Sequence, residues 1–127
     1  MIIKSNIFQV ERPWGNFRQF THNKLSTIKI VTVKPNEILS LQSHKNRSEF
    51  WHVISGNGWV EIGGIKKVAS SATRREGGKI VGDEFEIGMG EKHRLSAGPD
   101  GIQVLEIAIG NFDEEDITHY EDKYGRV

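Results

Sequence analysis

The segment Leu39-Ser-Leu-Gln42-Ser-His44-Lys-Asn-Arg47-Ser-Glu49-Phe-Trp51 reads as two short strands joined by a tight turn. Side chains two apart on a strand point the same way. Gln42 and His44 therefore share a face, and Glu49 rejoins them from the next strand after a turn over residues 45–48. An amide oxygen, an imidazole and a carboxylate on one face suit a divalent metal ion. The second imidazole has to come from elsewhere, and His93 is the best placed. It follows Gly88-Met-Gly-Glu-Lys92 and begins a short strand of its own. His52 has the opposite parity to Glu49 and is expected to face away, while His22, beside Asn23 and Lys24, reads as a turn residue.

Outward from this segment the chain keeps to short apolar runs between turn signals. Leu25 to Val33 is rich in β-branched residues and ends at Lys34-Pro35-Asn36. Strands are expected over 38–44 and 49–55, and Gly56-Asn57-Gly58 then predicts a tight hairpin turn into Trp59 to Ile62. The polar stretch Val68 to Gly82, with Arg74-Arg75-Glu76 and Gly77-Gly78, reads as an exposed loop or a long irregular hairpin, its arginines solvated. Further strands are expected at 84–87, 93–96 and, most clearly, 102–109. Glu114-Glu115-Asp116 reads as a solvated acidic turn. The aromatic tail from Tyr120 to Arg126 is expected to pack across the mouth of the barrel. No apolar stripe of helical period is long enough for a core helix, so the pattern predicts an all-β sandwich or barrel.

The 127 residues suffice for one domain with a core. Lysine and arginine total 17, as do aspartate and glutamate. Zero net charge gives no electrostatic reason to expect nucleic acid or an anionic membrane as partner. Cysteine is absent, which excludes disulfides and thiolate metal sites. The opening Met1-Ile-Ile-Lys-Ser5 turns polar too soon for a signal peptide, and no apolar run reaches membrane-spanning length, so a soluble cytoplasmic protein is expected.

The same residues resemble the two motifs of the cupin family. In the first, His44, Glu49 and Gly56 fall in register, with Gln42 in the place of the first histidine and Asn36 in that of the first glycine. In the second, Gly82, Gly90 and His93 match, with Gly88 in place of proline and Ala97 in place of asparagine. A closer resemblance, spanning nearly the whole chain, is to the C-terminal domain of type II mannose-6-phosphate isomerases. It rests on Arg12-Pro-Trp-Gly15, Leu39-Ser-Leu-Gln42-x-His44, Arg47-x-Glu49-x-Trp51, His93-Arg94-Leu95, Glu115-Asp-Ile117 and Glu121-Asp-x-Tyr-Gly-Arg126. That family usually carries a histidine-rich run where this chain has Lys45-Asn46, and histidine where it has Phe50. No Gly-rich nucleotide-binding loop is present, so guanylyltransferase activity is not expected.

The resemblance implies one cupin domain over residues 1–127, a double-stranded β-helix or jelly-roll-like barrel. One divalent metal would be held by Gln42, His44, Glu49 and His93, zinc first among manganese, cobalt, iron and nickel. It implies interconversion of mannose 6-phosphate and fructose 6-phosphate through an enediol, whose negative charge calls for a Lewis acid. The proton-transfer group is left open between a metal-bound hydroxide, Glu49 and Lys92; Arg126 is grouped with Glu49 and Lys92 as a catalytic candidate. Arg12, Arg47 and Arg94, with Arg126, are the candidate cations for a sugar phosphate. Trp14 and Trp51 are candidates to wall the sugar pocket. Two alternatives stand beside this: a metal-bearing cupin that binds a sugar or metabolite without turnover, and a non-haem iron oxygenase on the same fold. A homodimer is expected from the family.

Overall fold

The computed structural model describes residues 6–72, 74–76 and 79–127, which form eleven β-strands and no α-helix. In chain order they are β1 (Phe8–Arg12), β2 (Gly15–Gln19), β3 (Ser26–Val33), β4 (Leu41–Ser43), β5 (Arg47–Ile62), β6 (Ile65–Ser70), β7 (Arg74–Glu76), β8 (Lys79–Val81), β9 (Glu84–Ile87), β10 (His93–Gly110) and β11 (Thr118–Glu121). Seven of them make one sheet in the order β11-β4-β10-β5-β6, with β3 added to β10 and β9 to β5. No helix among the described residues is long and apolar enough to cross a membrane.

Two strands organise everything else. The second half of β10 lies between β3 and the first half of β5, with Glu106 opposite both Lys29 and Trp51. Its first half pairs with the second half of β5, Leu95 opposite Val60, and His93 lies opposite Gln42 of β4. The two halves face each other across a core that draws Val33, Trp51, Val53 and Val104 from one and Val60, Leu95 and Ala97 from the other. This is the expected all-β barrel.

The reading of β5 as two strands with a turn at Gly56-Asn57-Gly58 is corrected by the structure, in which β5 runs straight through. The glycines are there because the β10 backbone comes close. A Cβ on Gly56 would lie 2.1 Å from the Gly101 carbonyl oxygen, and one on Gly58 2.0 Å from that of Ser96. The hairpin turn sits instead at Gly63-Gly64, where both φ angles are positive, at 56° and 82°. Likewise β10 is one strand of 18 residues with a register shift between Ala97 and Ile102, where two separate strands were expected.

Strand β6 carries order through Ser70, into the stretch read as loop, and β7 and β8 pair as a short hairpin. Thr73, Gly77, Gly78, the side chains of Arg74 and Arg75 and the opening residues 1–5 lie outside the described residues. The hairpin β1–β2, which the sequence pattern did not reveal, pairs only with itself among the described residues. It is tied to the barrel by side chains: Phe20 stacks on Phe50 at 5.8 Å, and Arg18 forks onto Glu84. Trp14 and Arg12 occupy its tip.

The tail adds β11 to the open edge of β4. From there Tyr124 and Arg126 run toward Glu37 and Leu39, where they help line a cavity of about 430 Å³. Its lining includes none of His44, Glu49 or His93.

Candidate metal centre

His44 stands one residue beyond β4, Glu49 near the start of β5, and His93 at the first position of β10. One ligand atom from each lies within 4.8 Å of the other two, and all three side chains are buried. The turn between β4 and β5 is held from the far end of the chain. Asp116 accepts the backbone N–H groups of Lys45 and Asn46, both at 2.9 Å, and these bonds hold its carboxyl below the usual range. In the acidic turn Glu114 and Glu115 are exposed as expected, while Asp116 is half-buried and clamps the site.

Hydrogen bonds to backbone carbonyls fix both imidazoles in one tautomer. His44 Nδ1 lies 2.7 Å from the Asp116 carbonyl and His93 Nδ1 2.9 Å from that of Glu91. A carbonyl only accepts, so each Nδ1 carries the proton and each Nε2 presents a lone pair. Those lone pairs face the Glu49 carboxylate, His44 Nε2 at 3.5 Å from Oε2 and His93 Nε2 at 3.7 Å from Oε1. Burial, the largest influence on each, pushes both imidazoles below their ordinary pKa despite the neighbouring carboxylate. They are therefore neutral near neutral pH, the state that metal ligation requires.

The residues fit a metal ion. Nε2 of His93 and Oε1 of Glu49 are two acceptors facing each other in a buried space, an arrangement that a cation between them would satisfy. Glu49 is itself held by two donors, Arg47 Nε to Oε2 and Trp51 Nε1 to Oε1, each at 3.0 Å. The Trp51 ring also meets His93 edge-on at 5.5 Å. Gln42 is the direct partner of His93 across the β4–β10 pair, so the two side chains share a face. Its amide nitrogen lies 3.4 Å from the Ser40 carbonyl.

One buried group escaped the sequence reading. Glu106 lies opposite Trp51 and shares its inward face. Its carboxyl is hydrogen-bonded to Glu49 and is pushed up to about 7, first by burial and then by the Glu49 charge, against the pull of Lys29 and Arg47. The signal available was parity: Glu106 alternates with Val104 and Ala108.

The other candidates lie elsewhere. Arg94 has the opposite parity to His93 and is bound to the Leu39 carbonyl and to Glu121. Lys92 is exposed, its ammonium 4.2 Å above the Tyr120 ring. Arg126 is paired with Asp122 beside the 430 Å³ cavity. Arg12 lies over Phe17 at the hairpin tip, where Trp14 is 73% exposed, so neither joins the three ligands. Of the proposed cations, only Arg47 reaches the ligand cluster. His52 is on the outer side, bonded to Glu84, and His22 is exposed.

Comparison with known proteins places these observations. Residues 3–122 match the family model described as mannose-6-phosphate isomerase C-terminal. The chain is 32% identical over 121 residues to the mannose-1-phosphate guanylyltransferase ManC of Salmonella typhimurium, covering 94% of this chain and 23% of that protein. It thus spans about a quarter of the length of the curated relatives it matches. Among solved structures, KdgF from Halomonas sp. superposes with a TM-score of 0.60 at 18% identity, over 76% of this chain and 78% of that one. A cupin protein from Bacteroides fragilis gives 0.53 at 22% identity, over 72% and 74%. The fold is that of the cupins.

Proposed function

The chain belongs to the mannose-6-phosphate isomerase C-terminal family, and from that premise we propose that it is a metal-dependent sugar-phosphate isomerase interconverting mannose 6-phosphate and fructose 6-phosphate. The observation that carries this reading is the buried set of His44, Glu49 and His93, with both imidazoles locked to offer Nε2. Those three, with the amide oxygen of Gln42, would hold one divalent ion, zinc first. Bound there, the ion supplies Lewis acidity toward the oxygens at C1 and C2, where an enediol accumulates charge.

Moving a proton between C2 and C1 needs a group inside the barrel. Glu49 already has a donor on each oxygen, and the Lys92 ammonium is engaged with Tyr120. Among the described residues Glu106 is a further buried carboxyl on the inward face, and it adjoins Glu49. It is the best-supported carrier of that proton. In Glu106→Gln, turnover is expected to fall by about 10²–10⁴-fold while metal content stays unchanged, as read by steady-state kinetics beside elemental analysis. Loss of metal in that variant would instead make Glu106 part of the binding set.

The deciding experiment is conversion of mannose 6-phosphate by purified protein, after chelation and again after return of zinc, cobalt or manganese. Turnover that follows the metal supports the isomerase. Its absence with every metal overturns that reading.

A further inference from the structure

Arg47 is only 6% exposed, and its guanidinium lies against the metal ligands. Nε donates to Glu49 Oε2 at 3.0 Å, Nη1 to the Asp113 carbonyl at 3.1 Å, and Nη2 lies 3.3 Å from Nε2 of His44. The ring of Phe112 covers the group from one side, 4.3 Å from Cζ to the centroid. A long cation is thus folded into the barrel and held there from three directions.

The contact with His44 is the informative one. Because His44 Nδ1 gives its proton to the Asp116 carbonyl, Nε2 has one lone pair and no hydrogen. That lone pair accepts an N–H of Arg47 or binds a metal ion, and it does not do both. Glu49 Oε2 is different, since a carboxylate oxygen has room for a donor and a metal together. The Nε bond to Glu49 is therefore compatible with a loaded site, and the Nη2 contact with His44 is not.

We propose that Arg47 is a resident stand-in cation: its guanidinium satisfies His44 and Glu49 when no metal is present, and a metal ion binds only by displacing Nη2 from His44. The inference rests on the metal reading of the site and is independent of which reaction the site performs. A buried Glu49 without a counter-charge is costly, and Arg47 supplies that charge before any ion arrives. Metal affinity is thereby held below what the three ligands would give alone.

The competing account makes Arg47 only an orienting residue that aims Glu49 at the ion. The two accounts predict opposite signs. Loss of a purely orienting neighbour weakens metal binding by about 10–100-fold. Loss of a competing cation tightens it, by about 10–100-fold on the scale at which a like charge within ~4–6 Å acts.

The test is equilibrium zinc affinity, by competition with a chromophoric chelator, for wild type, Arg47→Met, Arg47→Gln and His44→Ala. Tighter binding in the Arg47 variants is the expected result, together with a lower melting temperature for the metal-free protein and a wider metal-induced rise. Equal or weaker binding in them overturns the stand-in role. Should Arg47→Met fail to fold, Arg47→Gln carries the measurement, since its amide keeps a donor for Glu49 without the charge. Wild type that binds zinc no better than His44→Ala would overturn the metal reading itself, a different failure.

Discussion

Glu49→Gln is expected to abolish stoichiometric metal binding and to destabilise the metal-free protein by about 3 kcal/mol, the lower end of what breaking a buried ion pair costs. Glu49 is almost fully buried, receives Arg47 and Trp51, and faces both histidines. Glutamine removes the anionic ligand and leaves the Arg47 guanidinium inside the barrel without its main partner. The loss stays at the lower end because Glu106 responds. Part of what holds Glu106 neutral is the Glu49 charge, so without it Glu106 ionises and partly balances Arg47.

That exchange has a pH signature. In the metal-free wild type the raised Glu106 contributes stability below the unfolded value of 4.5 and loses it as pH rises through about 7. His44 and His93, whose pKa values are lowered, act in the opposite sense. Their contribution is present above 6.5 and lost as pH falls through their depressed values. In Glu49→Gln the Glu106 part of the profile shrinks, since burial still raises that carboxyl. Urea unfolding across pH, with zinc content by elemental analysis, reads both effects. Wild-type zinc content in the variant would sink the ligand assignment, and unchanged stability would sink the ion-pair account.

Phe50→Ala is expected to cost more, about 3–5 kcal/mol, and to leave metal binding intact. Phe50 is adjacent to Glu49 in sequence, yet it points out of the barrel. It is fully inaccessible, packed with Ile107 and Ile109 and against Phe20 of the hairpin strap. Truncation opens a cavity between the sheet and β1–β2 and removes the aromatic anchor of that hairpin. Equilibrium unfolding beside a zinc titration separates the two consequences. A lost metal site with unchanged stability would mean that Phe50 belongs to the centre. The substitution of phenylalanine for the histidine usual in the isomerases thus falls on the outer face, away from the ligands.

The ligand face was legible because alternation is strict: Gln42 and His44 on one side, Glu49 two residues from Trp51 on the other strand. The same rule, carried one step further, also places Arg47 inward, two residues before Glu49. Glu106 was harder to read because Leu105, Ile107 and Ile109 make the outer face of β10 as apolar as the inner one. A strand covered on both sides shows no polar edge against which an inward carboxylate stands out. The continuity of β5 and β10 was hidden for another reason. Gly56 and Gly58 carry the composition of a turn, and nothing local announces the facing backbone that forbids their Cβ atoms. Arg12, Trp14, Arg94 and Arg126 lie in segments that resemble the isomerases, but resemblance places a residue in a segment, whereas pairing and parity decide which way it points.

The passage of β5 and β10 through both halves of the barrel has a consequence for how the molecule comes apart. Neither half owns its strands, so neither can open while the other stays closed, and the barrel unfolds as one cooperative unit. The hairpin β1–β2 shares no ladder with it and frays at lower free energy, detaching as Phe20 and Arg18 let go. Native-state amide exchange is accordingly expected to divide these elements in two, with the β5–β10 ladder exchanging only through global unfolding and the strap ahead of it. Of the candidate metal ligands, Glu49 and His93 fall on the slow side, near the starts of the two long strands, while His44 stands in the turn after β4.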